Sequence, residues 1–232
     1  MTQSLEILSP AGPAPLRPSH SHPRIAFLVS QFPETHETFI LREFTALADL
    51  GLDFVILSLK PCRDQVVQTE AARFLDRTYY PSAGGPLMAG RPSLLRLARD
   101  TGRALPWARS PIKCAYITWA SRSLARIACA LGVGHIHAHW ATAPVSAAVQ
   151  MSHILGVPFS FTAHAWDIYA GDARLPQKAR GARFITTCTA ANVEFLRSVL
   201  PPADRDKVIL NYHGVPDTPD RRNFSSHNGP LK

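Results

Sequence analysis

The chain alternates between continuous apolar runs and segments whose apolar residues recur at helical spacing. Arg24–Ser30 (RIAFLVS) and Asp53–Leu59 (DFVILSL) have the unbroken apolar character of strands buried on both faces. Between them, Thr38–Leu50 carries apolar side chains at the period of a helix, and Gly51 supplies a stop. Strand, helix and strand within this length predict a βαβ unit.

The same alternation continues toward the carboxyl end. The further predicted elements are a short helix Thr69–Asp76, a short strand Thr78–Tyr80, helices Pro92–Leu105 and Ile112–Leu131, a strand His135–Trp140, a helix Pro144–Leu155, strands Pro158–Ala163 and Arg183–Thr187, a helix Ala190–Leu200 with Thr189 as N-cap, and a strand Lys207–Asn211. This order predicts a Rossmann-like α/β fold, with a mostly parallel sheet and helices on both faces.

Composition sets the expected domain limits. Of 232 residues, 46% are hydrophobic and 18% are charged, which is typical of a globular protein. Residues 1–23, rich in Pro, Ser and His, are expected to be a disordered lead-in without a secretory signal. The folded domain is expected over residues 24–212, and residues 213–232 have the composition of an interdomain linker.

Charge and cysteine content narrow the classes of partner. The net charge is +8, but the arginines are dispersed and no zinc-finger or RNP signature occurs, so no nucleic-acid partner is expected. The four cysteines form no CxxC pair, which favours reduced thiols and a cytoplasmic location. Arg96, Arg99 and Arg103 share one face of a predicted helix. A solvated face is the commoner explanation, and peripheral contact with the inner face of the cell membrane is the alternative.

Two common nucleotide-binding motifs are missing. No GxGxxG follows the first strand, and no GxxxxGK[ST] occurs anywhere in the chain. A dinucleotide-dependent dehydrogenase and a P-loop NTPase therefore lose most of their support.

Histidines follow or line two of the predicted strands. His135, His137 and His139 alternate, so their side chains are expected on one side of a strand. Three ligands along one flat strand make a poor tetrahedral site, so no metal is expected, although a histidine-based metal site stays open as an alternative. We expect His135 and His137 to be hydrogen-bonded within the fold, and His139 to reach a cleft at the strand end.

Two further segments carry candidate chemistry. His164 follows an apolar strand and precedes Asp167, which is expected to orient it or to cap the following segment. A histidine in this place can donate to a phosphate, a sugar hydroxyl or a developing charge. The alternatives are a general base, although no candidate nucleophile is fixed beside it in sequence, and a cap of backbone groups. The loop QFPETHETF leads into the first helix, where Thr38 is either a ligand group or only the N-cap, and Phe39 is expected in the core.

Four segments together resemble a known family. RIAFLVSQFPETHETFILREFTALADLG, HIHAHWATAPVSAAV, PFSFTAHAWDIY and KVILNYHGVPD, in this order, resemble the amino-terminal half of family-4 glycosyltransferases of the GT-B fold. The most similar branch makes bacterial exopolysaccharides, including the colanic-acid-type enzymes. The resemblance runs from about Arg24 to Asp217, and the combination of segments is more specific than any one of them.

The resemblance implies a retaining transfer of a sugar from a nucleotide-sugar donor to a glycan or lipid-linked acceptor. Such enzymes have two Rossmann-like domains facing a cleft, of which the first shapes the acceptor side and the second holds the nucleotide. The leaving diphosphate assists deprotonation of the acceptor, and the protein supplies positioning and charge stabilisation. No cofactor or metal is expected.

Residues carry over by position. His164 matches the family's histidine near the donor sugar and the leaving phosphate, with Asp167 completing its TAHAWD context; these two are the predicted catalytic pair, with His139 in the cleft. The loop with Glu34, Glu37 and Thr38 matches the acceptor and diphosphate side. It lacks the glycine-rich form common in the family, which argues against phosphate contact through bare backbone amides.

A second departure concerns the nucleotide-binding half. The family's Glu-x7-Glu motif is absent, since no two glutamates are eight positions apart. The expectation is therefore an acceptor-side domain that is inactive alone. The alternative is a non-catalytic glycan- or lipid-binding subunit that pairs with a separate catalytic chain.

Overall fold

A computed structural model describes residues 23–62, 68–82, 110–170 and 174–214. Several predictions lie outside these residues. They are the lead-in except for Pro23, the helix Pro92–Leu105 with Arg96, Arg99 and Arg103, and the linker beyond Gly214.

The described strands form one parallel sheet. They are β1 (Arg24–Phe32), β2 (Phe54–Pro61), β3 (Thr78–Tyr79), β4 (Val133–His139), β5 (Phe159–Ala163), β6 (Ile185–Thr187) and β7 (Val208–Leu210). Their order across the sheet is β3-β2-β1-β4-β5-β6-β7, and each neighbouring pair is parallel. The predicted Rossmann-like α/β class is confirmed. The order reverses between β1 and β4, which is the switch point where open parallel sheets form a ligand-binding crevice.

Helices cover both faces of this sheet. The described α-helices are α1 (Thr38–Asp49), α2 (Pro111–Ala130), α3 (Ala143–Leu155), α4 (Ala165–Tyr169), α5 (Leu175–Gly181) and α6 (Ala190–Val199). Two 3₁₀ segments, Thr69–Arg77 and Pro202–Lys207, lead into β3 and β7. The expected stop Gly51 has positive φ, and so do Gly132 and Gly156 after α2 and α3; glycine enters this backbone region without steric cost.

Side chains of successive strand residues enter two separate cores. Ala26 and Leu28 of β1 pack in a cluster that also contains Leu124 of α2 and Val145 of α3. Phe27 and Val29 point the other way, into a cluster with Phe44 of α1 and with Phe54 and Phe74. Continuous apolar strands therefore indicate burial on both faces, as predicted.

Two short helices were not predicted. α4 and α5 occupy the segment between β5 and β6 that was expected to be a loop. Helices of five and seven residues make too few turns to show an apolar period, so the sequence pattern does not reveal them. The predicted cap of α6 is confirmed, since the Thr189 side chain accepts a hydrogen bond from the Asn192 N–H.

Within the described ranges, no helix combines the length and apolarity needed to cross a bilayer. The four cysteines all lie within the described residues, and none of them is in a disulfide.

Candidate functional site

The candidate site lies at the carboxyl edge of the sheet, beside the switch point. The segments that follow β1, β4 and β5 meet there, and His213, three residues beyond β7, joins them. The ring of Phe39 lies 4.8 Å from that of His164 and 4.7 Å from that of His213, measured between centroids. The Trp140 and His164 rings are 4.4 Å apart. Aromatic and imidazole side chains from four chain segments thus form one cluster.

Asp167 joins the ends of β4 and β5. Its Oδ1 accepts a hydrogen bond from the His164 N–H at 2.7 Å, and its Oδ2 accepts one from the Ala141 N–H. The side chain is 2% exposed. Burial raises the pKa of Asp167 to about 6, while the amides of Ala141 and His164 and the charge of Lys178 act in the opposite direction. The carboxylate is therefore ionised at neutral pH and fixes two backbone segments.

Lys178 of α5 is hydrogen-bonded to the same turn after β4. Its Nζ donates to the carbonyl oxygens of Ala141, at 2.6 Å, and Thr142, at 3.2 Å, and the residue is 1% exposed. Trp140, just before this turn, has φ of 74°, a left-handed conformation that is strained for a bulky residue. Its N–H donates to the Thr162 carbonyl at 3.0 Å, which helps to hold it there.

His164 lies at the amino end of α4 and is 4% exposed. His164 and Asp167 occupy the two positions of a capping box. Asp167 accepts a hydrogen bond from the His164 N–H, but the His164 ring makes no cap hydrogen bond. The buried Nε2 of His164 has no partner. Burial, followed by the charge of His213, lowers the pKa of His164 to about 3. The ring is thus neutral at physiological pH, with a nitrogen ready for a ligand.

His139 lies deeper, with its ring 6.1 Å from that of His164. It is fully buried, neither ring nitrogen is hydrogen-bonded, and its Nε2 is 3.9 Å from Glu43 Oε2 of α1. Burial, together with the charges of the neighbouring histidines, holds the pKa of His139 well below its ordinary value. Burial also raises the pKa of Glu43 to about 7.

The other two histidines of β4 are hydrogen-bonded within the fold, as predicted. His135 Nε2 lies 2.7 Å from Ser160 Oγ. The ring nitrogens of His137 lie 2.8 Å from Ser160 Oγ and 2.9 Å from Thr162 Oγ1. His137 is buried, and desolvation lowers its pKa to about 3. Both nitrogens of His137 are therefore already used, which weakens the metal site considered from the alternating histidines.

The loop after β1 is only partly connected to this cluster. The N-cap of α1 is Glu37, whose side chain makes no cap hydrogen bond. Thr38 is the first helical residue and not the cap, and its side chain is exposed. Burial raises the pKa of Glu37 to about 7, Glu34 adds to the rise, and the indole of Trp140 opposes it. Glu34 and Glu37 also line a small pocket of about 10 Å³, room for roughly one water molecule.

Three members of the cluster were not among the predicted site residues. Phe39 is half-buried and reaches from the core to His164, rather than lying wholly in the core. Trp140 was assigned to a strand end, and His213 to the linker. The signal available in the sequence was position, since Trp140 and His213 follow a strand end by one and three residues, and Phe39 lies seven residues beyond β1.

Comparisons with known proteins identify the fold. No family model and no curated protein sequence matches the chain significantly. Among solved structures, MurG of Acinetobacter baumannii aligns over 86% of this chain and 48% of its own, at 13% identity and a TM-score of 0.50. A sucrose-phosphate synthase structure from Thermosynechococcus elongatus aligns over 82% and 89%, at 13% identity and 0.51.

A UDP-GlcNAc 2-epimerase from Methanocaldococcus jannaschii aligns over 81% of this chain and 45% of its own, at 10% identity and a TM-score of 0.46. This chain spans about half the length of MurG. At these identities the likeness to MurG and to the sucrose-phosphate synthase structure establishes the fold alone, the Rossmann-like α/β fold that this chain shares with them.

We predict that Asp167→Asn destabilises the protein by about 2–3 kcal/mol, because an amide oxygen cannot replace a carboxylate that accepts two buried N–H groups. Urea unfolding at pH 8 measures the loss, and hydrogen exchange should show faster exchange at the Ala141 and His164 amides. Asp206→Asn, at an exposed carboxyl, is the matched control and should change stability by less than about 0.5 kcal/mol. Equal effects of the two substitutions would refute the role of Asp167.

A second prediction concerns pH. Above the ordinary pKa of 4.5 the unfolded chain ionises Glu43, whereas the native chain keeps the proton up to about 7. The native state then binds more protons, so this group reduces stability as pH rises through that window. Glu43→Gln should therefore gain stability relative to the unaltered protein between pH 5 and 8, by up to about 3 kcal/mol.

Urea unfolding at several pH values measures this gain. Glu194→Gln, at an exposed glutamate, serves as the control and should show no such trend. A stability difference for Glu43→Gln that stays constant with pH would contradict burial as the cause.

Proposed function

We propose that this chain is the acceptor-side domain of a retaining, nucleotide-sugar-dependent glycosyltransferase of exopolysaccharide or lipid-linked glycan synthesis. The observation that carries the proposal is the buried, unpartnered Nε2 of His164 at the carboxyl edge of the parallel sheet, beside the switch point. The family-4 assignment and the exopolysaccharide branch are supported by the four resembling segments.

In this proposal His164 acts by donating a hydrogen bond. A ring whose pKa is about 3 is a poor general base at neutral pH but stays uncharged and able to donate from Nε2–H. Among the described residues, no hydroxyl or thiol is hydrogen-bonded to Nε2 of this ring as a nucleophile would be. The donor stabilises charge that develops on the leaving diphosphate or a sugar oxygen. Asp167 positions the ring by fixing its backbone N–H.

The proposed enzyme needs a second, nucleotide-binding domain. The donor nucleotide-sugar binds to that domain, and the glycan or lipid-linked acceptor binds on the side described here. The chain spans 48% of MurG, in keeping with one of two domains. The transfer itself is proposed to need no metal or cofactor. The proposed location is the cytoplasm, with peripheral contact at the inner membrane face through Arg96, Arg99 and Arg103.

The second candidate is a glycan-binding subunit that pairs with a separate catalytic chain. Two exposed aromatic residues next to the site favour it: Trp166 is 70% exposed and Tyr212 is 68% exposed. Aromatic faces are suited to stacking against apolar or cationic surfaces of a ligand, and they are costly to leave in water.

The test is a transfer assay with the chain alone and with a separately supplied GT-B nucleotide-binding domain carrying Glu-x7-Glu. UDP- and GDP-sugars serve as donors and a membrane-lipid extract as the acceptor source. We expect nucleotide release and sugar transfer only when both domains are present. Robust transfer by the chain alone would contradict the proposal, and glycan binding without transfer in the mixture would favour the second candidate.

Substitutions of His164 test its role in that assay. His164→Phe should lower kcat by about 10²–10³-fold, as expected for the loss of a donor to a developing charge, and His164→Gln should recover part of the loss because its amide still donates. His153→Gln, at an exposed histidine, is the control. A His164→Phe protein that is folded and fully active would exclude this role.

A further inference from the structure

A set of potential metal ligands lies at three adjacent strand ends. His164 follows β5, Cys188 follows β6 and His213 follows β7 after three residues. One ligand atom of each lies within 4.8 Å of the others. In a tetrahedral site with bonds of about 2.0–2.3 Å, ligand atoms are separated by about 3.3–3.8 Å. Side-chain shifts of about 1 Å, to which the exposed His213 can contribute, therefore bring them into range.

The available atoms have the required chemistry. His164 has a buried ring nitrogen, Nε2, without a hydrogen-bond partner. The rings of His164 and His213 are 5.6 Å apart between centroids, close enough for both to reach one ion. A thiolate with two imidazoles suits Zn²⁺, which binds sulfur and nitrogen ligands and keeps a fourth position open for water or a ligand.

Asn192 and Tyr169 form a hydrogen-bonded chain next to Cys188. The Asn192 amide lies 3.9 Å from Cys188 Sγ and also donates to Thr187 Oγ1 at 3.0 Å. Tyr169 in turn donates from its hydroxyl to Asn192 Oδ1 at 3.1 Å. Outer groups of this kind orient metal ligands and stabilise a bound thiolate.

The alternative group has less support. Glu43, His137 and His139 are also close enough together to hold a metal ion. Both ring nitrogens of His137 are, however, already paired with hydroxyl groups. Binding an ion through His137 would break one of those two buried bonds.

We propose that His164, Cys188 and His213 form a binding site for Zn²⁺ or a similar divalent transition metal. Where His164 has the role proposed above, metal binding at Nε2 requires the tautomer with the proton on Nδ1. The Nε2–H donor is then lost, so metal binding inhibits transfer. This consequence rests on the proposed function, whereas the binding site itself does not.

Titration of the chelator-treated full chain with Co²⁺ and Zn²⁺ tests the site. We expect one ion per chain, visible-region absorption typical of tetrahedral Co²⁺, and a thiolate-to-cobalt absorption band that Zn²⁺ removes. Cys188→Ser should abolish that band and weaken Zn²⁺ binding by at least about 100-fold, more than the loss of an outer partner costs. His213→Asn, at an exposed position, should weaken binding similarly without affecting folding.

Cys129→Ser and His153→Asn, at an exposed cysteine and an exposed histidine, are the matched controls. Octahedral Co²⁺ spectra, or Zn²⁺ affinity unchanged by both Cys188→Ser and His213→Asn, would overturn the site. In the two-domain assay, transfer that Zn²⁺ does not inhibit despite tight binding would show that the metal does not occupy His164. Tight, Cys188-dependent binding without any transfer would instead remove the proposed function and leave the metal site standing.

Discussion

The arrangement of the site depends on one buried carboxylate. Asp167 accepts the N–H groups of Ala141 and His164, the residues at which the chain leaves the ends of β4 and β5. A carboxylate accepts both bonds at once because each oxygen has free lone pairs. Burial increases the cost of losing either bond, since the freed amide would have no water to replace it. Lys178, bonded to the carbonyl groups of the same turn, balances the charge.

Around this anchor the sheet edge is polar but carries little charge. Burial lowers the pKa values of His137 and His164 to about 3 and holds that of His139 well below its ordinary value, so these rings are neutral at physiological pH. Two rings differ in their bonding, because His137 is fully paired with hydroxyl groups whereas His164 keeps a free nitrogen. A neutral imidazole with an open nitrogen can donate to an oxygen or bind a metal. The same atom thus serves both the proposed transfer and the proposed metal site.

The sequence predicted the fold well, for a physical reason. Strands buried on both faces are continuous apolar runs, and α1, α2, α3 and α6 are long enough to show their period. The sheet order places strand ends side by side, so His164 and Asp167 could be selected from their position after β5. By contrast, α4 and α5 are too short to show a period. The meeting of Phe39, Trp140 and His213 depends on tertiary packing, which no local pattern encodes. The left-handed backbone of Trp140 could not be foreseen for the same reason.

The most direct test of this account is the protonation state of His164 in the intact chain. Nitrogen-15 NMR of its imidazole, assigned with His164→Gln, should show a neutral ring from pH 5 to 8, because its pKa is about 3. Addition of inorganic pyrophosphate should shift the Nε2 resonance without protonating the ring. A ring that titrates near the ordinary histidine value of 6.5 and does not respond to pyrophosphate would contradict the buried, ligand-ready imidazole on which the account rests.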